Sequence, residues 1–259
     1  MKNIFIFLLA GIITFQVSGT SFSEQNFHDS EAKIFVENVQ KSDEMVQNKV
    51  EEKIEKNDYE KIFHNIPENK QKIIEDFLKK FEDKGYFSHM KKISYRKNSS
   101  NRGLASASKI YFDFEKIDTN EEFKRVMIHE MGHIFDLGFL VSKEKKIVSN
   151  FKDGTKKIYA DNPSVEFYSL CFKNESEQNG KCSDVDFPSK YGQTNPFEDF
   201  AESFLLFIEN NDSFKKMANE SNVMMKKYNF LKKYFGDVKT GTYKGQENFQ
   251  RVRDLTLAY

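Results

Sequence analysis

The sequence predicts an α+β fold that is mainly helical and includes a small sheet. Stretches near residues 68–84, 119–137 and 196–208 carry apolar side chains at helical spacing, whereas residues 93–96 and 110–114 show the alternation of strands. With 259 residues the chain is long enough for one sizeable core or two small ones. A charged fraction of 31% excludes a membrane-embedded body, and 27 Phe and 11 Tyr predict a largely aromatic core.

The overall charge argues against a nucleic-acid partner. Lysine plus arginine and aspartate plus glutamate both total 40, so the formal net charge is zero. Proteins that bind nucleic acids normally concentrate an excess of basic residues on one face. We therefore expect no nucleic-acid binding.

Residues 1–19 have the features of a secretory signal peptide. Lys2 precedes an apolar run from Ile4 to Phe15, and small residues follow. The run is too short for a comfortable membrane span. We expect a secreted or extracytoplasmic protein with no stable membrane insertion after signal removal. The alternative is a single N-terminal anchor.

Residues 20–62 form a charged segment with sparse apolar side chains. Several of these, such as Val46, Val50 and Ile54, are four residues apart, and neighbouring Glu–Lys pairs would support one or two amphipathic helices. A linker or a propeptide is the alternative, and the sequence leaves that choice open. A folded domain over residues 63–240 follows, and residues 241–259 form a C-terminal tail.

The folded domain is predicted to begin with a helix and two strands. Pro67 precedes a helix over residues 68–84, and Gly85 lies where it would stop. Ile93–Arg96 predicts a short strand, and Ile110–Phe114 predicts a second one directly before the next helix. An unpaired strand edge beside a cleft can bind an extended peptide by main-chain hydrogen bonds. We expect Ile110–Phe114 to be that edge strand.

The next predicted helix carries the motif HEMGH at residues 129–133. Thr119 and Glu122 have capping-box spacing at its start, and Gly138 is expected to cap its end. Two histidines four apart share one helical face, so two imidazole nitrogens can bind one metal ion. Glu130 is rotated away from that pair but can act as a general base on a water molecule. The alternative is a buried helix with two hydrogen-bonded core histidines.

Residues 139–190 lack a strong period and contain both cysteines. Cys171 and Cys182 are eleven apart, and in an exported protein such a pair predicts one disulfide that closes a surface loop. Beyond the next helix, two more are predicted, roughly over residues 213–217 and 223–235.

A helix that begins at Asn195-Pro196 supplies the candidate third ligand. An anionic oxygen from Glu198 and two neutral imidazoles would leave a coordination position open for water, as a catalytic zinc site requires. The alternative for Glu198 is a capping role, three residues after Asn195. Glu202, one turn later, could accept the ring N–H of His129; the alternative is an ordinary solvent-facing glutamate.

Tyr191 is a candidate for transition-state stabilisation. It precedes Gly192 on a predicted turn, from which a phenol could donate to the oxyanion formed when water attacks a peptide carbonyl. The alternative is a packing tyrosine. His28, His64 and His89 have no partner pattern and are expected not to be ligands.

Two motifs resemble one family of zinc peptidases. HEMGHIFD at residues 129–136 and SKYGQTNPFEDFAESF at residues 189–204 are similar to the catalytic domain of anthrax lethal factor and its relatives, and to the bacterial Pro-Pro endopeptidases. These enzymes are gluzincins, zinc endopeptidases whose third ligand is a helical glutamate. The likeness is strongest over residues 120–205 and extends over about residues 65–235.

The resemblance implies a zincin-like metallopeptidase domain in which His129, His133 and Glu198 hold one Zn²⁺ ion. It also implies that Glu130 is the general base, that Tyr191 stabilises the oxyanion and that Glu202 supports His129. The segment between the two motifs is longer than the family pattern, and we expect no multi-domain toxin body ahead of the domain. Cleavage specificity and a role as a toxin or virulence factor therefore stay open.

We expect a secreted zinc-dependent endopeptidase that hydrolyses a peptide or protein bound along Ile110–Phe114. The alternative is an inactive protease-like domain that binds a peptide or a protein. A third hypothesis is a self-inhibited precursor in which residues 24–62 cover the cleft.

Overall fold

The computed structural model describes Tyr59, residues 61–236 and residues 254–257. These residues belong to one unit of the chain, residues 54–259. The signal peptide predicted for residues 1–19 and nearly all of the charged segment lie outside the described residues. The α+β prediction is confirmed, because helices dominate the described part and accompany a small mixed sheet.

A four-stranded sheet forms one part of the domain. Its strands follow the order β1-β2-β4-β3, with β2 parallel to both β1 and β4, and β3 antiparallel to β4. The strands are β1 (Phe63–His64), β2 (Lys92–Tyr95), β3 (Gly103–Ser106) and β4 (Lys109–Phe112).

The prediction that Ile110–Phe114 is the edge strand is wrong. Strand β4 pairs with β2 on one side and with β3 on the other, so its backbone is not free to bind a peptide. The chain reverses direction between Ser106 and Lys109 and lays β3 along the outside of the sheet. Phe114 is not in the strand at all, because a 3₁₀ turn begins there.

Helix α1 (Glu68–Leu78) is shorter than predicted. It buries Ile74, Phe77 and Leu78, and the chain then continues as a 3₁₀ turn, Lys79–Lys84. That turn ends at Gly85, whose φ of 63° lies in the left-handed region. The predicted stop position was therefore right, although the last turns of the predicted helix are not α-helical.

Helix α2 (Asn120–Ile134) is almost entirely buried from Glu122 onwards. The Thr119 side chain accepts a hydrogen bond from the backbone N–H of Glu122, as the capping pattern predicted. The helix does not end at Gly138, because a π-helical turn, Phe135–Phe139, follows Ile134.

Gly138 is required by packing, and its predicted role as a C-cap is wrong. A Cβ atom at this position would lie 2.0 Å from His89 Nε2 and 2.2 Å from the Ala107 carbonyl oxygen. His89 Nε2 also lies 3.2 Å from the backbone carbonyl of Ile134. The close contact therefore ties the end of α2 to the turn between β3 and β4.

The segment without a strong sequence period contains a hairpin and a short helix. Strands β5 (Val148–Asp153) and β6 (Lys156–Tyr159) pair antiparallel, and helix α3 (Pro163–Tyr168) follows. Cys171 and Cys182 form the predicted disulfide.

Three helices complete the domain: α4 (Pro196–Glu209), α5 (Asn211–Glu220) and α6 (Asn222–Phe235). The last two correspond to the predicted helices, and α5 is longer at both ends. Helices α2 and α4 pack against each other, and aromatic rings pack where α2 ends. The ring of Phe135, directly after α2, lies 6.3 Å from that of Phe200 and 6.2 Å from that of Phe204 in α4. None of the described helices is long and apolar enough to cross a membrane.

Candidate metal centre

The two histidines of α2 and a glutamate of α4 converge on one point. His129 and His133 are buried, and their ring centroids lie 5.0 Å apart. Oε2 of Glu198 lies 3.0 Å from Nε2 of His129 and 3.4 Å from Nε2 of His133. One nitrogen or oxygen atom from each of the three residues lies within 4.8 Å of the others, so they could hold a metal ion.

Short-range features of the sequence set the positions of these three ligand atoms. The four-residue spacing puts both imidazoles on one face of α2. Asn195 sets the start of α4, because its Oδ1 accepts hydrogen bonds from the backbone N–H groups of Phe197 and Glu198. Glu198 thus lies in the first helical turn, and its own backbone N–H is capped while its side chain faces the histidines.

The orientation of His129 fits a metal ligand. Its Nδ1 lies 2.8 Å from Oε1 of Glu202, which is a carboxylate with no solvent exposure. A donor proton on Nδ1 leaves Nε2, which is directed towards Glu198 and His133, as the nitrogen that can bind a metal ion once its own proton is displaced. Metal-binding histidines are normally held by such a hydrogen bond from the other ring nitrogen, so these residues fit a bound metal ion.

The other oxygen of Glu202 has two further donors. Ser189 Oγ donates to Oε2 at 2.5 Å, and the backbone N–H of Leu255 donates to the same atom at 2.8 Å. Ser189 Oγ also accepts from the backbone N–H of Gly192, which fixes the turn that carries Tyr191. One buried carboxylate therefore links helix α2, this turn and a distant part of the chain.

The three candidate ligands stabilise one another's charged forms. Burial opposes ionisation of Glu198, but His133 and His129 hold its pKa well below its usual range. Burial likewise disfavours the imidazolium forms, yet Glu198 raises the pKa of both histidines, and Glu202 adds to this at His129. Metal binding would therefore displace protons from the imidazoles.

Glu130 is buried beside the cluster without belonging to it. Burial raises the pKa of its carboxyl group, and the neighbouring His129 and His133 oppose that rise, as does a hydrogen bond from the backbone of Ala105 in β3. A carboxylate whose pKa lies nearer neutrality suits proton transfer better than an ordinary exposed one.

The phenol of Tyr191 also reaches this cluster. Its ring stacks on that of His129, with centroids 5.9 Å apart and planes at 29°. Burial and the nearby carboxylate of Glu198 raise the pKa of Tyr191 above its usual value. The phenol consequently stays protonated at neutral pH and is available as a hydrogen-bond donor.

Two adjoining cavities open onto these residues. The first, about 180 Å³, is lined by His133 and Glu198 together with Leu104 of β3, Phe197 and Asp153 of the β5–β6 hairpin. The second, about 290 Å³, is lined by His129, Glu130 and Tyr191 together with Arg102, Val126, Asp254 and Thr256. A third cavity, about 340 Å³ and lined by Phe81 and Met90 among others, shares no residue with either.

The structure brings all six predicted site residues together, but sequence reasoning missed several of their neighbours. Ser189, Arg102, Asp153 and Leu255 were not singled out. Ser189 begins the second motif, and that position was the available signal. The other three contact the site through elements distant in sequence, so no local pattern marks them.

Comparisons of the chain with protein-family models, curated proteins and solved structures found no match.

Proposed function

We propose that this chain is a secreted zinc-dependent endopeptidase of the gluzincin type. The observation that carries the proposal is the convergence of His129, His133 and Glu198 around one point, with the buried Glu130 beside them. Two imidazoles and one carboxylate are the ligand set of catalytic zinc sites that keep a coordination position open. A purely structural metal site needs no general base, whereas Glu130 is placed to act as one.

The metal would supply Lewis acidity: zinc bound to these three residues would polarise the scissile carbonyl and lower the pKa of the attacking water towards ~7. Glu130 accepts the proton of that water and delivers it to the leaving amine. Its position outside the ligand set keeps the carboxylate available for this transfer.

Two further residues assist in this mechanism. Tyr191 donates a hydrogen bond to the oxyanion as negative charge develops on the carbonyl oxygen. Glu202 holds the ring of His129 in the tautomer whose Nε2 is the ligand.

The substrate would bind along β3, because this strand is one of the two edges of the four-stranded sheet in the described residues, and it lines the first cavity with Gly103, Leu104 and Ala105. Leu104 is 41% exposed, which is unusual for a large apolar side chain in this domain. An extended peptide that pairs with β3 would add a fifth strand and pass across the metal centre.

Two measurements on the purified protein test this function. Metal analysis is expected to find one zinc ion per chain. Glu130→Gln is expected to abolish peptide hydrolysis while zinc remains bound, because the amide cannot accept the proton. An intact protein without stoichiometric metal would instead favour a peptide-binding module, and a fully active Glu130→Gln variant would remove the role assigned to Glu130.

Secretion is part of the same proposal. The supports are the signal-like residues 1–19 and the disulfide between Cys171 and Cys182, which forms most readily in an oxidising compartment. N-terminal sequencing of protein recovered from the culture medium would locate the cleavage site. It would also establish whether residues 24–62 are removed.

A further inference from the structure

Residues 254–257 lie far from the metal ligands in sequence but contact their support. This segment forms a single 3₁₀ turn, Leu255–Leu257, next to helices α2 and α4. Leu255 and Thr256 are 2% and 4% exposed, which is as low as core residues. The segment is therefore an integral part of the folded domain.

The main contact joins the segment to Glu202. The backbone N–H of Leu255 donates to Oε2 of Glu202 at 2.8 Å, while Oε1 of the same carboxylate lies 2.8 Å from Nδ1 of His129. A buried carboxylate needs a full set of donors, because an unsatisfied oxygen would turn towards any other donor. The Leu255 N–H is one of two donors to Oε2, with Ser189 Oγ, and thus helps to keep Oε1 directed at His129.

Arg102 holds the segment in place. Its guanidinium donates to Glu122 of α2 at 2.8 Å and to Asp254 at 2.6 Å, and it also donates to the hydroxyl of Thr256 at 2.5 Å. Glu122 is 3% exposed and the Arg102 side chain 20%, so water screens these contacts only weakly. Arg102 directly precedes the edge strand β3, and the same residue therefore connects β3, helix α2 and the segment.

A second arginine fixes the backbone of the segment. Nε of Arg125 in α2 donates to the carbonyl oxygen of Thr256 at 3.1 Å, in a buried environment. Asp254 accepts hydrogen bonds from the backbone N–H of Thr256 at 2.8 Å and from its hydroxyl group, which closes the turn on itself. The backbone N–H of Leu255 takes no part in these contacts within the turn and donates instead to the buried carboxylate of Glu202.

We propose that residues 254–257 are a positioning element of the metal centre, clamped by Arg102 and acting on His129 through Glu202. The inference rests on the proposed function in one respect, because it requires a metal ion at His129, His133 and Glu198. Loss of partners that orient a metal-binding histidine typically weakens metal affinity about 10–100-fold. The element also forms one wall of the second cavity, through Asp254 and Thr256.

The decisive comparison uses two substitutions of one residue in the full chain. Leu255→Pro removes both the side chain and the backbone N–H, and proline is tolerated at the first position of a helical turn. Leu255→Ala removes most of the side chain but keeps the N–H. The affinity for Zn²⁺, measured by competition with a chromogenic chelator, is expected to be about 10–100-fold weaker for Leu255→Pro than for Leu255→Ala.

A spectroscopic measurement separates positioning from general loosening of the fold. In zinc-loaded protein with ¹⁵N-labelled histidine, the Nδ1-bound proton of His129 is expected to exchange faster with water in Leu255→Pro than in Leu255→Ala. The signals of His133 are expected to stay the same in both. Equal changes at the two histidines would overturn the proposal, because they would indicate a merely structural effect.

A second pair of variants covers the case in which Leu255→Pro does not fold. Arg102→Met removes the clamp, which pairs with Glu122 of α2. Lys124→Met removes a different ion pair of α2, the one between Lys124 and Glu209. Weaker zinc binding by Arg102→Met than by Lys124→Met supports the proposal, and equal binding overturns it.

Failure of the inference and failure of the proposed function give different results. Wild-type protein that binds no Zn²⁺ would overturn the proposed function, and the inference with it. Wild-type protein that binds Zn²⁺ and cleaves peptides, with Leu255→Pro and Leu255→Ala equal in affinity, would overturn the inference alone.

Discussion

Gly103 lies directly against the carboxylate of Glu130. A Cβ atom at residue 103 would stand 2.3 Å from Oε1 of Glu130 and 2.7 Å from its Cγ, closer than real Cβ contacts allow. The side chain of Glu130 therefore occupies the position that a Cβ atom at residue 103 of the edge strand would need, so only glycine fits there. We predict that Gly103→Ala displaces Glu130 and lowers kcat/KM for peptide hydrolysis by about 10–100-fold, because small misplacements of a catalytic group are costly.

Zinc content should be unchanged in Gly103→Ala, because the three atoms nearest to the added Cβ all belong to Glu130, which is not one of the proposed ligands. Gly180→Ala controls for a glycine substitution away from the site: it lies in the cysteine loop, and no atom lies within 4 Å of the added Cβ. A Gly103→Ala enzyme with wild-type kcat/KM would show that Glu130 does not need this position.

The Tyr191 phenol gives a second prediction. Tyr191→Phe keeps the ring stacked on His129 but removes the only donor of this side chain. Loss of one oxyanion donor typically lowers kcat by about 10²–10³-fold, so this decrease is expected with zinc affinity retained. Tyr159→Phe, on the β5–β6 hairpin, controls for the loss of a phenol. A change confined to KM would instead assign Tyr191 to substrate binding.

The buried carboxyl of Asp136 predicts a pH dependence of stability. Burial raises its pKa from an ordinary value of 3.8 to about 7, although the hydrogen bond from Tyr168 and the nearby Ser164 hydroxyl oppose the rise. The folded protein thus retains a proton that the unfolded chain releases above about pH 4. The free energy of unfolding should fall as the pH rises from about 4 to 7, by up to about 4 kcal/mol from this group alone.

Chemical denaturation at pH 5 and pH 8 tests this sign. In Asp136→Asn the group no longer titrates, and the amide oxygen can still accept the hydrogen bond from Tyr168. The variant should therefore lose less stability than wild type between the two pH values. Asp212→Asn, at an exposed carboxylate, controls for the removal of one charge. An equal loss in Asp136→Asn and wild type would disprove the assignment.

Asp153 predicts a preference in the substrate. Among the residues that line the first cavity it is the one carboxylate besides Glu130 and Glu198, and its contact with Lys156 is long, at 3.7 Å. Peptides with Lys or Arg near the scissile bond should be favoured over neutral ones. Asp153→Asn should reduce that preference by about 2–5-fold, the range of a partly exposed ion pair.

Cleavage of paired basic and neutral peptides at two salt concentrations measures this preference. The advantage of the basic peptide should also decrease at higher salt, because exposed charges are screened. Glu144→Gln is the control, since Glu144 pairs with Lys146 on the exposed surface. An unchanged preference in Asp153→Asn would place the recognition elsewhere.

The sequence alone determined the features that depend on near neighbours in the chain. The four-residue spacing of His129 and His133 sets their common face, and Asn195 sets the start of α4, which places Glu198 in its first turn. Cys171 and Cys182 close a loop of fixed length, and the predicted disulfide is present. Each of these depends on geometry within a few residues or on one short loop.

Only the tertiary structure decided the order of the strands and what holds Glu202 against the candidate metal ligands. Alternation of side chains predicts a strand but not its neighbours, so it could not show that β3 lies outside β4. The hydrogen bond from Leu255 to Glu202 joins residues 53 apart in sequence, and no periodic signal extends over such a distance. Strand order and these long-range contacts depend on how the whole core packs. This is why the sequence predicted the candidate ligands and the contact of Glu202 with His129, but not the Ser189 and Leu255 donors that hold Glu202.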